Sequence, residues 1–361
     1  MQVRILWTCR NLDLKNSSMK ILIVNVGSSS VKYSLFDSGR LLDERVFSRK
    51  ESFLTFEEKE FLRSLYVEYF VFRVVHGKDK TATRFIDSNT YEDIKAALPL
   101  APIHNKLLLE LLDFVLEEFG KDKSIAVFDS DFHKTLPKKA YLYPVKRDYA
   151  EKHSLRKYGF HGIAFEAALS ELENRLGTVP ENVIAIHAGG GVSVCAIKDG
   201  ASVYTSMGLT PTDGIMMLTR SGSLDPELVR VLQERENLLP SEVSRILNFE
   251  SGFYGMTGSK DTKEIIEKAK EGKEPFKSAY ELFLYELKKR VFAYLGVLGA
   301  VDTVLLSGGL AYNNEYFADD LYAEIKHLPV RKEQMIKVDI DENKIMLKKA
   351  RELILSQKNS A

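Results

Sequence analysis

Residues 21–39 (ILIVNVGSSSVKYSLFDSG) and 183–200 (VIAIHAGGGVSVCAIKDG) constrain the fold of this chain more than any other feature. Each is an apolar run that breaks on a small-residue turn and resumes at once, the pattern of two strands joined by a tight connection. Shifted so that Asn25 falls on His187, the two segments also place Gly27 on Gly189, Val31 on Ser193 and Asp37 on Asp199. A third strand is predicted after each, in RLLDERVF (40–47) and ASVYTSMG (201–208). Two like halves, each opening with a β-meander, imply an internal duplication of one α/β unit.

The segments that follow alternate between strand and helix. EYFVFRVVHG (68–77) and SIAVFDSDFH (124–133) read as strands, the second presenting Asp129 at its C-terminal end. NKLLLELLDFVLEEFG (105–120) reads as a helix stopped by Gly120. In the second half, 261–272 and 276–299 read as helices, 301–317 as strand, glycine turn and helix start, and 341–357 as a closing helix. Mixed sheets flanked by helices place ligands at strand ends and in the cleft between halves. Three small-residue turns follow buried strands, at Gly27–Ser30, Gly189–Gly191 and Ser307–Gly309. They suit a nucleotide phosphate tail gripped by backbone N–H groups from both sides. Neither a Walker A ending nor GxGxxG after the first strand is present, which disfavours P-loop and dinucleotide folds.

Composition removes other classes. The 361 residues are 45% hydrophobic and 28% charged, with 51 basic and 51 acidic side chains, so there is no overall basic footprint for nucleic acid. Cys9 and Cys195 have no metal-ligand spacing and imply two reduced thiols in a cytoplasmic protein. No run is long enough to span a membrane. Residues 1–18 form a poor signal peptide and are expected to be a disordered extension or a misassigned start.

The segments RVVHG (73–77), APIHN (101–105), AVFDSDFHKTLP (126–137), RKYGFHG (156–162), TSMGLTPTDGIMMLTRSGSLDP (205–226) and SGFYGMTG (251–258) follow one another in this order. Together they closely resemble the acetate kinase family of carboxylate kinases, within the actin, sugar-kinase and Hsp70 superfamily. The resemblance implies duplicated actin-like ATPase (ribonuclease H-like) α/β domains with a central cleft. On that plan residues 19–131 form the N-terminal domain and 132–342 the C-terminal one, with the closing helix 343–358 expected against the first. It also implies ATP, Mg²⁺ (or Mn²⁺), a small carboxylic acid and a homodimer.

Site residues follow by position from the resemblance. Arg73 and Arg220 match the arginines that hold the carboxylate and the transferring phosphoryl group, and Asp129 the family aspartate, assigned here to magnesium. His161 matches the histidine that steadies the transition state, and His104 a second active-site histidine. Val75, Ile103, Phe160 and Pro211 match the pocket for the methyl group. Asn25, Ser28, Ser30 and Lys32 match the phosphate side of the first meander, with Asn25 also assigned to the metal. His187, Gly189, Gly190, Gly191, Gly308, Gly309 and Asn313 are expected near the nucleotide, as are Asp261, Thr262 and Lys263.

The chain departs from the family at several of these places. Gly190 stands where the family carries asparagine, and Asp261-Thr262-Lys263 where it carries Asp-Phe-Arg. Ile163-Ala164-Phe165 replace Thr-Ser-His after FHG. The family's metal-holding glutamate falls on Ile345 when 350–352 (ARE) is aligned, which leaves Glu342 as a substitute only if the helix shifts. The implied activity is ATP + acetate (or propionate) = ADP + acyl phosphate. Two alternatives stay open: a butyrate or branched-chain carboxylate kinase, suggested by the glycine-rich turns, and a non-catalytic nucleotide-binding sensor.

Overall fold

The computed structural model describes residues 19–27, 30–48, 54–79 and 81–359, with the side chains of Ile103 and His104 outside that set. The chain divides into two compact units, residues 1–134 with 341–361, and residues 135–340.

The first unit holds a six-stranded sheet of β1 (Lys20–Val26), β2 (Ser30–Asp37), β3 (Arg40–Ser48), β4 (Tyr69–Val74), β5 (Arg84–Phe85) and β6 (Ser124–Phe128), in the order β3-β2-β1-β4-β6-β5. The second holds β7 (Asn182–Ala188), β8 (Val192–Lys198), β9 (Ala201–Thr205), β10 (Thr303–Ser307) and β11 (Met335–Lys337), in the order β9-β8-β7-β10-β11. Apart from β5 the two orders coincide strand for strand. In both, an antiparallel meander is extended by parallel strands.

The central strands are continuous apolar runs because helices cover both faces of the sheet. Ile21, Leu22, Ile23 and Val24 are buried, as are all five residues of β6 and of β10. On one face of the first sheet, Phe61 and Leu62 of the helix Phe56–Ser64 and Leu108, Leu111 and Leu112 of the helix Pro102–Phe119 share a core with Phe70 and Phe72. The C-terminal helix Glu342–Lys358 packs on β1, β4 and β6, burying Met346, Ala350 and Ile354. At the sheet edge, β3 is exposed and carries Asp43, Glu44 and Arg45, charges that discourage pairing with another strand.

Two helices are exchanged in chain order. The helix Gly162–Leu176 comes after β6, the last parallel strand of the first unit, yet packs on β7 and β10. The helix Glu342–Lys358 comes after β11 and closes the first unit. Each sheet thus has one helix whose N-terminal end, with His161 as its N-cap or Glu342 as its first residue, reaches the end of the sheet where the hairpin turn lies.

The duplication is real, but its register needs correction. Asn25 pairs with Lys32, whereas His187 pairs with Ser193. The second turn is one residue shorter, so Ser193 corresponds to Lys32 rather than Val31, and Asp199 to Ser38 rather than Asp37. Backbone geometry agrees: Ser38 and Asp199 both have φ 50°, each followed by a glycine with positive φ. The bulges also coincide, between Leu35 and Phe36 and between Ala196 and Ile197. Three glycines close a turn in which the N–H of Gly189 donates to the carbonyl of Gly191, and the first turn needs Ser30 to accept the equivalent bond from Gly27.

Several strands are shorter than their apolar runs. β4 ends at Val74, β6 at Phe128 just before Asp129, and β9 at Thr205. In each case the residues beyond the strand belong to the motif segments. Among the described residues, no helix is long and apolar enough to cross a membrane. Cys195 is a buried free thiol, and burial, partly opposed by the Ser202 hydroxyl, pushes it up to about 12. Cys9 and residues 1–18 lie outside the described residues, as does Ser28.

Candidate active site

In the first unit, the parallel register of β1 and β4 brings Arg73 beside Asn25. Arg73 donates from Nε and Nη2 to the two carboxylate oxygens of Asp129, at 3.0 and 2.8 Å. Its Nη1 donates to Asn25 Oδ1 at 3.3 Å and to Glu342 Oε2 at 3.2 Å. Asn25 Nδ2 donates to the same Glu342 oxygen at 3.2 Å. Asp129 is fully buried and Arg73 nearly so. Burial works against the Arg73 charge, but Asp129 first and Glu342 second more than offset it and hold the guanidinium above its ordinary range. Such a bidentate guanidinium–carboxylate pair fixes orientation as well as charge.

Glu342 needs no helix shift to reach this cluster, because it is the first residue of the C-terminal helix. Two further polar bonds set that helix: buried Asn343 donates to Ser34 Oγ at 2.9 Å, and Lys349 Nζ meets Asp131 at 2.7 Å. Ile345, where the motif alignment had put the family glutamate, is buried in the core.

The acceptors of this cluster, the carboxylates of Asp129 and Glu342 and the amide oxygen of Asn25, are all hard oxygens. That donor set suits a divalent cation of the magnesium type. Among the described residues, no group of three or more His, Cys, Asp or Glu is placed to hold a metal unaided. Magnesium characteristically takes one or two protein carboxylates and completes its shell with water and substrate phosphate.

In the second unit the parallel register of β7 and β10 puts Ser307 opposite His187, the place that Arg73 holds beside Asn25. His187 Nδ1 lies 3.2 Å from Ser307 Oγ. His161 is in the left-handed region, φ 59° and ψ 23°, at the N-terminus of the helix Gly162–Leu176. Its Nδ1 is 2.8 Å from Ser193 Oγ, and its ring meets that of His187 edge-on at 4.8 Å. Nε2 of the same ring lies on the side of the glycine turn.

Gly191 sits against both functional groups. A Cβ there would lie 2.9 Å from His161 Cε1 and Nε2 and 3.4 Å from Arg220 Nη1. Gly308, at φ +86°, is pressed on the backbone of Ala188, where a Cβ would come within 2.5 Å of the carbonyl oxygen. The two glycine turns of this unit are therefore packed on each other. Arg220 is buried, and its Nη1 donates to the Pro211 carbonyl at 3.2 Å. Gly191→Ala is expected to cost about 1–3 kcal/mol of stability, the usual scale for overpacking. It should also reduce turnover by displacing His161, and comparing thermal unfolding with activity in that variant checks both effects.

Position by position, the expected residues divide. Asn25, Arg73, Asp129 and Glu342 meet in one unit. His161, His187, Gly189, Gly191, Pro211, Arg220 and Gly308 meet in the other, with Gly309 N 3.9 Å from a Cβ placed on Gly189 and Asn313 beside Gly309. Val75 and Phe160 are buried. Lys32 pairs with Glu44 at 2.9 Å. Asp261 caps its own helix, accepting from the N–H groups of Lys263 and Glu264, and Thr262 and Lys263 open that helix. Gly190 has open space around it, so the position that lacks the family's amide has room for one. The hydroxyls of Ser193 and Ser307 were missed as imidazole partners. The corrected register of the repeat is the signal that would have found Ser193.

Comparison with known proteins now supplies the deciding observation. The family model described as the Acetokinase family matches residues 55–361. The chain belongs to the acetokinase family. It is 34% identical over 367 residues to the acetate kinase of Natranaerobius thermophilus, with 91% of each protein covered. It is 36% identical to that of Helicobacter acinonychis, covering 82% of this chain and 84% of the relative. Among solved structures, a propionate kinase from Francisella tularensis superposes with a TM-score of 0.83 at 26% identity, covering 92% of this chain and 98% of that one. The acetate kinase of Porphyromonas gingivalis gives 0.79 at 27%, covering 93% and 100%. The duplicated actin-like α/β fold expected from the sequence is therefore the fold of this chain.

Proposed function

We propose that this protein transfers the γ-phosphoryl group of ATP to acetate or propionate, reversibly, giving ADP and an acyl phosphate. The observation that carries the reading is the convergence of separate motifs. Arg73 and Asp129 pair bidentately and share Asn25 and Glu342, while His161 and Arg220 close on Gly191.

A short-chain carboxylic acid is ionised at neutral pH, so the attacking oxygen needs no general base. The obstacle is the approach of one anion to another and the charge that spreads over the transferring group. Arg73 and Arg220 are always cationic and forked for oxyanions. His161 can donate or accept through Nε2, and the glycine turns offer backbone N–H groups to the phosphates. Asp129, Asn25 and Glu342 are the residues that would hold magnesium. Such an ion would offset the negative charge of the nucleotide's phosphates.

The resemblance assigns Val75, Ile103, His104, Phe160 and Pro211 to the carboxylic acid; a single methylene discriminates by only about 1–3 kcal/mol. A cytoplasmic location and a homodimer belong to the same reading. The dimer is supported by Leu282, Tyr285, Phe292 and Val297, which are exposed on the long helix Phe276–Leu298.

Incubating the protein with ATP, magnesium and a series of acids, and trapping acyl phosphate as hydroxamate, tests the assignment. A maximum at acetate or propionate is the expected result. A maximum at butyrate would replace the substrate, and nucleotide binding without product for any acid would overturn the reaction.

A further inference from the structure

The loop that carries Arg220 is fastened by the carboxylate of Asp213. Asp213 lies two residues after Pro211, whose carbonyl takes the Arg220 guanidinium. Its Oδ1 accepts from the N–H of Gly214 at 2.9 Å and from Ser223 Oγ at 2.5 Å. Ser223 in turn donates its N–H to the Gly214 carbonyl at 3.0 Å. One carboxylate oxygen thus ties the two ends of segment 213–223 together. The other, Oδ2, faces Lys157 Nζ at 3.7 Å and lies over Gly208, where a Cβ would come within 2.3 Å of it.

Lys157 belongs to the segment that leads into His161. Its neighbours Tyr158 and Gly159 donate their N–H groups to the Gly208 carbonyl at 3.0 and 3.4 Å. Lys157 itself is buried and points to the Met207 carbonyl at 3.5 Å. Burial draws its ammonium below the usual range, Asp213 opposes that shift, and Arg290 adds to it. A buried ammonium whose nearest carboxylate is Asp213 makes this contact costly to lose.

We infer that Asp213, paired with Lys157, is a positioning residue that locks the Arg220 loop to the His161 segment, so that guanidinium and imidazole keep the spacing phosphoryl transfer needs. The inference rests on the kinase reading above. Asp213 touches neither phosphate nor acid in this scheme; it acts through Pro211 and Arg220.

The test uses the full-length protein and two substitutions at one site. In Asp213→Asn the hydrogen-bonding oxygen can stay while the charge facing Lys157 is lost. The expected kcat falls by about tenfold to 10²-fold, the scale for misplacing a catalytic group by a fraction of an ångström to one ångström. The KM for ATP stays near the parent value. Asp213→Glu keeps the charge and is expected to recover most of the loss. Hydrogen exchange read by mass spectrometry should quicken in 157–161 and 206–223 and remain unchanged elsewhere. A parent-like kcat in Asp213→Asn overturns the inference, as does a failure of Asp213→Glu to rescue, or exchange that rises uniformly. If Asp213→Asn does not fold, Lys157→Met is read by the same criteria. A parent protein that makes no acyl phosphate overturns the kinase reading and the catalytic purpose of the lock together. The exchange pattern then still separates that failure from a loop that Asp213 does not hold.

Discussion

Arg220→Ala is expected to lower turnover by at least about 10²-fold, the scale for removing one preorganised transition-state donor. Arg220 is buried and held by the Pro211 carbonyl, with the Gly191 turn and His161 beside it. Its guanidinium therefore occupies one orientation before any substrate arrives, and little reorganisation is needed when charge develops. Lysine should not restore the rate, because a point charge on a flexible stem cannot reproduce a fork held at Pro211. Hydroxamate formation by purified parent, Arg220→Ala and Arg220→Lys, compared at matched far-UV circular dichroism, measures the effect. Turnover in Arg220→Ala within about threefold of the parent would remove this residue from the transition state.

Asp129→Asn is expected to act on stability and metal use together. The substitution takes the charge from a fully buried carboxylate that receives two bonds from Arg73. Removing one partner of a buried ion pair typically costs about 3–5 kcal/mol. Glu342 still faces Arg73 at 3.2 Å, so the lower end is expected, read from denaturant unfolding. The cluster also loses one of its two carboxylates, and half-maximal activity should require about tenfold or more magnesium if that oxygen holds the ion. An unchanged magnesium dependence in the folded variant would confine Asp129 to orienting Arg73. Glu342→Gln is the informative companion, since an amide in its place can still accept from both Arg73 and Asn25 while the negative charge is gone.

Most of the fold was legible. Glycine breaks such as Gly120 and Gly299 end helices where the periodicity stops, and the apolar runs of β1, β4, β6, β7 and β10 are the buried central strands. Sequence alone aligns the return strands of the two halves one residue out of step, because a turn of Gly and Ser permits either length and only cross-strand pairing reveals which is used. Short amphipathic helices such as Pro226–Glu236 and Pro240–Phe249 went unread. They bury little, only Val243 of the two being buried, so their apolar positions carry no sign of a core.

The site divides along the same line. The motif segments, through the family they resemble, point to Arg73, Asp129, His161 and Arg220, and the chemistry agrees, since two anions can be joined only where cations and a metal offset their repulsion. Local order along the chain also made the strands, the glycine turns and the duplication inevitable, because periodicity and backbone freedom act over a few residues. Folding alone brought Glu342 to Arg73, put Ser193 on His161 and Ser307 on His187, and set Asp213 against Lys157. Those contacts join segments distant in sequence, and their distances depend on how helices dock and sheets register, for which no short stretch of residues carries the information.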